Sequence, residues 1–225
     1  MVVGEVDVSF LLWLLLPVAA ASGWFAAAKA SRGASRRRAR AELTSEYFKG
    51  INYVLNEQPD KAIEVFIKVL EVDTETVETH LALGNLYRRR GEVDRAIRIH
   101  QNLVARSTTS NEQRYEALLE LAQDYLSAGL LDRAENLFRE LVEVGHHTVQ
   151  ALRQLIDIYE QEKDWEQAAA AAGQLGDATG SHLGNVIAQY QCEQAEQARE
   201  NGNISEALGL LTAARESYPG CGRAS

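Results

Sequence analysis

The sequence predicts an all-α chain, in which a single N-terminal transmembrane helix precedes an α-solenoid of about five helix pairs. Three observations predict this fold. Residues 8–28 carry no charged side chain, and residues 29–40 carry six basic residues and no acidic one. The rest of the chain repeats a pattern of small and aromatic residues, with intervals of 34, 38, 34 and 39 residues between equivalent alanines. Such intervals are typical of a repeated pair of helices.

The apolar segment, residues 1–28, is predicted to be a transmembrane anchor. Its uncharged run from Val8 to Ala28 has 21 residues. As a helix this run would extend about 30 Å, which matches the hydrocarbon core of a bilayer. Trp24 lies near its basic end, where an indole suits the level of the lipid headgroups. The alternative is a cleaved signal peptide, but that would carry its positive charge before the apolar run.

A basic juxtamembrane linker, residues 29–42, follows the apolar segment. Lys and Arg stay on the cytoplasmic side of a membrane, so the N-terminus is predicted to be periplasmic and the following array cytoplasmic. The linker could also bind anionic lipid headgroups, although topology alone explains its charge. The membrane-flanking bases are Lys29, Arg32, Arg36, Arg37, Arg38 and Arg40.

The repeat array is predicted to cover residues 43–219, and residues 220–225 are expected to be the truncated start of a further repeat. Each unit has a small or apolar residue, then Tyr three positions later and Ala twelve positions later, as in Gly84, Tyr87 and Ala96. A small residue at the first position lets two helices approach closely. Glycines are expected in the turns of the helix pairs, and acids at the start of each second helix, where they suit the helix dipole. These residues are Gly91, Gly129 and Gly202 in the turns, and Asp60, Asp94, Asp132 and Glu166 in the helices.

These units resemble tetratricopeptide repeats. In such arrays the first helix of each pair lines a concave groove where partners bind. Helical spacing places an amide and a guanidinium on one face, where they could hold the carbonyls or a carboxylate of a peptide. The alternative is that these residues are solvated surface positions. The predicted partner-binding residues are Asn85, Arg88, Arg89, Gln123, Arg153 and Asp157.

A longer stretch, residues 84–101, resembles the second repeat of lipopolysaccharide assembly protein B, and residues 14–24 and 124–135 resemble the same family in the same order. The resemblance implies an inner-membrane adaptor with one N-terminal span, cytoplasmic tetratricopeptide repeats and a C-terminal rubredoxin-like metal domain. It also implies a role in regulating lipopolysaccharide synthesis. In this role the membrane protease FtsH degrades the deacetylase that commits precursors to lipid A. The paired Cys-x-x-Cys motifs of the metal domain are missing here, so no cofactor is expected in this chain.

Composition and motifs disfavour several classes of function. The net charge of −9 argues against nucleic-acid binding, and two cysteines are too few for a four-cysteine metal site. The sequence has no Gly-rich phosphate loop, no His-Glu-x-x-His and no nucleophile elbow, so we expect no enzyme, no metal and no small-molecule substrate. Cys192 is expected to fill space on a helix. His100 takes the position of Phe66 and Phe138 in other units, so it is expected to pack in the core.

Two functions are compatible with these features. The first is a membrane-anchored cytoplasmic adaptor, at the bacterial inner membrane, that regulates lipid A biosynthesis by presenting the committing deacetylase to FtsH. The second is a scaffold that joins lipopolysaccharide assembly proteins or other envelope proteins at that membrane. An adaptor should act at substoichiometric levels, whereas a scaffold should co-purify with its partners at a fixed ratio.

Overall fold

A computed structural model describes residues 44–72, 76–107 and 109–224. Within these ranges the chain forms ten α-helices in five pairs, which confirms the predicted helix-pair array. The helices are α1, which covers 44–55 of the described residues, α2 (Pro59–Val72), α3 (Val77–Arg89), α4 (Val93–Ala105), α5 (Asn111–Ser127), α6 (Leu131–Glu143), α7 (Thr148–Glu162), α8 (Trp165–Thr179), α9 (Gly184–Glu200) and α10 (Ile204–Ser217), followed by a 3₁₀ turn, Gly222–Ala224.

The structure does not support the predicted transmembrane helix. None of the helices in the described ranges is long and apolar enough to cross a membrane. The longest of those from α2 onward, α5 and α9, have 17 residues each and carry charged side chains. A membrane span needs about 20 predominantly apolar residues. The anchor predicted for residues 1–28 and the linker predicted for residues 29–42 lie outside the described residues, as do all six membrane-flanking bases.

The first compact unit ends at Thr74, and its described part is the pair α1 and α2. Gly50 of α1 faces the ring of Phe66, because a Cβ atom added to the glycine would lie 2.5 Å from Phe66 Cε1. Phe66 is fully buried, and the ring of Tyr47 packs on it with a centroid distance of 5.8 Å. The expectation that Gly50 allows close approach of two helices is therefore confirmed.

The second compact unit begins at Glu75 and contains α3 to α10, each packed against the next along the chain. Within its pairs, residues sixteen positions apart are complementary in size. Gly84 on the first helix faces the large His100 on the second, and Ala122 and Phe138 have the same spacing and lie in one buried cluster. The fourth pair has the opposite order of sizes, with Ile156 on the first helix and Ala172 on the second. Because protein cores are close-packed, the two side chains of such a pair must together fill a similar volume. A small residue on either helix, with a large one on the other, meets this requirement.

The turns inside the pairs follow the sequence prediction. Gly91, Gly129 and Gly202 have φ angles of 80°, 72° and 80°, which only glycine adopts without strain. The fourth pair uses Lys163 at φ 58° instead, although it is not a glycine. Acidic residues stand in the first turn of every second helix, as predicted. The start of α5 is fixed by a capping box that the sequence analysis did not predict, in which Ser110 and its partner three residues later exchange hydrogen bonds.

A cation also recurs over the tyrosine of each of the first three pairs. The charged groups of Lys61, Arg95 and Arg133 lie 5.8, 5.3 and 5.6 Å from the ring centroids of the tyrosines in their own pairs. Each of these cations directly precedes the recurring alanine of its second helix. Cation–π contacts at exposed sites stabilise by about 0.5–1 kcal/mol, so they support the packing that the small residues allow.

Candidate functional site

Arg88, one of the predicted groove residues, is held by several acceptors on α5. Its Nη1 donates to Asp124 Oδ1 at 2.7 Å, and its Nη2 donates to Glu120 Oε2 at 2.6 Å. It also donates to Gln123 Oε1 at 3.0 Å and to the main-chain oxygen of Glu120 at 3.1 Å. The Arg88 side chain is only 16% exposed. The structure therefore brings Arg88 and Gln123 together, and they bond to each other.

His100 of α4 extends this arrangement into the core. Its Nδ1 donates to Asp124 Oδ2 at 2.6 Å, and both side chains are 0% exposed. The buried carboxylate thus accepts a hydrogen bond from α3 and another from α4. We call the set Arg88, His100, Glu120, Gln123 and Asp124 the Arg88 network. Buried charges are tolerated when they are paired in this way.

The charge of Arg88 is stabilised by its partners. Burial by itself disfavours the charged guanidinium, but hydrogen bonds and charge attraction from Glu120 and Asp124 outweigh this effect and raise the pKa of Arg88. The group therefore stays a cation at every pH at which the protein folds. In this position Arg88 ties the first helices of two successive pairs together.

Gly84 makes room for His100. A Cβ atom added to Gly84 would lie 2.5 Å from His100 Cε1, and the imidazole cannot retreat without losing its bond to Asp124. Among the described residues, His100 Nε2 is buried without a hydrogen-bond partner. The expectation that His100 packs in the core is confirmed, and Gly84 is small because a ring lies against it.

The other predicted groove residues are more exposed than Arg88. Arg89 is exposed at the end of α3, and Arg153 and Asp157 are exposed on α7. Asn85 is half-buried, and its Oδ1 is a buried oxygen without a hydrogen-bond partner in the described part of the chain. Asp157 Oδ2 lies 3.4 Å from the side-chain amide nitrogen of Gln154. A role of these residues in binding partners stays a prediction.

Acidic and tyrosine side chains join the later helices. Tyr159 of α7 donates to Glu135 Oε1 of α6 at 2.9 Å, and Tyr190 of α9 donates to Glu160 Oε1 of α7. Burial, together with the bond to Glu135, raises the pKa of Tyr159 to about 12. Burial and Glu160 raise the pKa of Tyr190 as well. Burial and the charge of Glu160 also raise the pKa of Asp157, so this face of α7 is acidic.

The sequence analysis missed Asp124 and Glu120, although it contained a signal for the first. Asp124 directly precedes the recurring tyrosine of its unit, where other units have Leu86 and Ile158. His100 likewise replaces a phenylalanine. Two polar residues at apolar positions of successive units indicate a buried pair, because each alone would be an unpaired polar group in the core.

In the described ranges, no three His, Cys, Asp or Glu side chains are grouped so that they could hold a metal ion. The adjacent pair His146 and His147 lies where α7 begins, and the His146 ring stacks on Tyr115 with a centroid distance of 4.3 Å. Trp165 at the start of α8 stacks on Tyr190, with a centroid distance of 6.1 Å.

Comparisons with known proteins support the repeat assignment. Two models of the tetratricopeptide repeat match residues 79–115 and 119–181. Lipopolysaccharide assembly protein B of Escherichia coli K12 is 42% identical over 201 residues, which cover 89% of this chain and 51% of that protein. The chain is a homologue of proteins named lipopolysaccharide assembly protein B. The protein of the same name from Haemophilus influenzae is 38% identical over 96% of this chain and 56% of its own length. The chain thus spans about half the length of the curated relatives it matches.

Solved structures show the same fold. A crystal structure of MamA matches with a TM-score of 0.55 and 22% identity, over 80% of this chain and 93% of that one. YrrB, a tetratricopeptide-repeat protein with an unusual peptide-binding site, matches with a TM-score of 0.52 and 16% identity, over 80% of this chain and 88% of that one. At these identities the likeness establishes the repeat fold alone.

Proposed function

We propose that this chain is a non-catalytic adaptor of lipopolysaccharide assembly that binds proteins along the first helices of its repeats. Its proposed partners are the membrane protease FtsH and the deacetylase that commits precursors to lipid A, which the adaptor presents for degradation. The proposed place of action is the cytoplasmic side of the bacterial inner membrane. The proposed activity requires no cofactor in this chain.

The observation that carries this proposal is the 42% identity to lipopolysaccharide assembly protein B over 89% of the chain. Tetratricopeptide repeats bind partners on an extended concave surface. In the second unit Arg88 of α3 bonds to α5, and Tyr190 of α9 bonds to α7, so these first helices lie beside each other in two pairs. We propose that a protein segment binds along them.

The arginines of the first helices are proposed to have two different roles. Arg88 is already neutralised by Glu120 and Asp124, so its part is to fix the spacing of α3 and α5. Arg89 and Arg153 are exposed on the first helices, where a guanidinium can bond a carboxylate with two parallel hydrogen bonds. We propose that these two arginines contact acidic groups of a partner.

A cross-linked pull-down from membranes tests the proposal. The unmodified chain, called the parent protein below, is compared with a variant that carries Arg89→Ala and Arg153→Ala, and the captured proteins are identified and quantified by mass spectrometry. The matched control carries Arg98→Ala and Arg139→Ala, which remove two arginines from the exposed faces of the second helices α4 and α6. All three proteins must give the same circular dichroism spectrum.

The proposal predicts that the parent protein and the control capture FtsH and the deacetylase, and that the groove variant loses at least one of them. Capture that is the same for all three proteins would contradict a contact through Arg89 and Arg153. Recovery of other envelope proteins at a fixed ratio, unaffected by the variant, would contradict the adaptor and favour the scaffold.

A further inference from the structure

The two cysteines of the chain lie against each other. Cys192 is on α9 and Cys221 directly precedes the turn Gly222–Ala224, yet their Sγ atoms are 3.7 Å apart. Both residues are buried, at 4% and 3% exposure, and neither forms a disulfide in the structure. The sequence analysis treated Cys192 as a space-filling residue. A space-filling role does not explain why Cys221, the other cysteine of the sequence, lies against Cys192.

Neighbouring side chains hold the two thiols close together. They pack in a small apolar cluster with Ala188 of α9 and Ala214 of α10. Beside them Arg223 donates to Glu193 at 2.6 Å and thereby ties the turn to α9. A disulfide needs about 2.05 Å between its sulfurs, so the two atoms must approach by roughly 1.7 Å. We expect rotation of the two side chains, together with movement of the chain around Cys221, to supply this approach.

We propose that Cys192 and Cys221 are a modification site, at which a peroxide oxidant joins the two thiols in a reversible intramolecular disulfide. In the first step one thiolate attacks an oxygen of hydrogen peroxide, the O–O bond breaks, and a sulfenic acid and hydroxide form. In the second step the other thiol attacks the sulfenic sulfur, the S–O bond breaks, and water leaves. In total the two thiols lose two electrons and two protons, and one peroxide becomes two waters.

Burial sets the conditions for this reaction. Burial, together with the hydrogen bond to Cys221, raises the pKa of Cys192, so little of it is thiolate at neutral pH. The pair therefore stays reduced at low oxidant levels and reacts when the short turn Gly222–Ala224 opens locally. Once formed, the disulfide covalently fixes this turn on α9. A dithiol reductant reverses it.

We expect the disulfide to restrain the chain at the C-terminal end of α10. This helix exposes Ile204 and Leu208, at 56% and 61%, and Tyr218 directly after it is 45% exposed. A cross-link from Cys221 to α9 restrains the chain next to Tyr218. Oxidation is therefore expected to raise the melting temperature of the protein and to slow hydrogen exchange from about residue 218 onward.

Peptide mapping of the full chain tests the proposal. The protein is treated with hydrogen peroxide, quenched, alkylated and digested with trypsin under non-reducing conditions. Cleavage after Lys163, Arg199, Arg215 and Arg223 releases residues 164–199 and 216–223, each with one cysteine. We expect a cross-linked peptide in which these two are joined, with an intact mass about 2 Da lower than that of the reduced protein, because two hydrogens are lost. Dithiothreitol should restore the original mass.

Two single variants, Cys192→Ala and Cys221→Ala, serve as controls, because alanine is also small and apolar. Neither should lose mass, and neither should melt at a higher temperature after peroxide. If a variant fails to fold, the peptide map of the unmodified sequence decides alone. A disulfide between two chains, a sulfinic acid without a cross-link, or an unreacted pair at peroxide levels that oxidise exposed thiols would each overturn the proposal.

Discussion

Replacement of Arg88 by methionine tests whether the Arg88 network holds the array together. The substitution keeps most of the side-chain volume and removes the guanidinium. Asp124 is then left fully buried with one remaining partner at 2.6 Å, His100. Breaking a buried ion pair by removing one partner costs about 3–5 kcal/mol. The network is partly open to solvent, since Arg88 and Glu120 are 16% and 18% exposed. Because solvent and His100 offset part of the loss, we expect Arg88→Met to lower the free energy of unfolding by about 2–4 kcal/mol.

Urea unfolding followed by circular dichroism at the helix band measures this loss. Arg89→Met is the matched control, because Arg89 is the exposed neighbour in the same helix. It is expected to change the free energy of unfolding by less than about 0.5 kcal/mol. The double variant Arg88→Met with Asp124→Asn should be less destabilised than the sum of the two single variants, because it leaves no buried charge at position 124 without its partner.

Equal urea midpoints for Arg88→Met and Arg89→Met would refute this account of the network. Additive losses in the double variant would show that Arg88 and Asp124 do not act as a pair. Either result would make Arg88 a candidate for binding a partner protein again.

Three further predictions concern single positions. Gly84→Ala should lower the free energy of unfolding by about 1–3 kcal/mol, because its methyl group overlaps the ring of His100. In a chain that already carries His100→Ala, the same substitution should cost less in a melting experiment, because the ring is absent. Tyr159 has a folded-state pKa of about 12 against an ordinary value of 10.0, so its contribution to the free energy of unfolding is complete below pH 10 and is lost as the pH rises through 12. In an alkaline unfolding titration, Tyr159→Phe should therefore lose less stability over that range than the unmodified protein. Identical curves would show that Tyr159 makes no such contribution. Ser110→Ala should lower the free energy of unfolding by about 1 kcal/mol through loss of the capping box, and an unchanged urea midpoint would show that α5 starts independently of it.

Much of the repeat fold was predictable because its signals are local. Glycine at a positive φ, an acid in the first turn of a helix and a small residue where helices touch each have a sequence signature within one unit. Gly91 and Asp94 follow from such rules, and both lie where they were expected. The position of Gly84 was predictable for the same reason, although the ring it faces belongs to a histidine.

The Arg88 network was not predicted, because it depends on contacts between units. Helical spacing places Arg88 on the predicted groove-lining face of α3, and nothing within that unit shows that three side chains of α5 will reach it. His100 and Asp124 are 24 residues apart in the sequence, so their pairing follows only from the stacking of α4 on α5. The same limit applies to the cysteine pair, whose members belong to α9 and to the segment after α10.

The lifetime of the lipid A deacetylase tests the adaptor proposal most directly. Cells carry, in place of the natural gene, either the parent sequence, the Arg89→Ala/Arg153→Ala variant or the Arg98→Ala/Arg139→Ala control. Deacetylase levels are then followed by immunoblot after protein synthesis is stopped. The proposal predicts a short lifetime with the parent and the control, and a lifetime in the groove variant that approaches that of cells without the gene. A lifetime that is the same in all of these cells would contradict it.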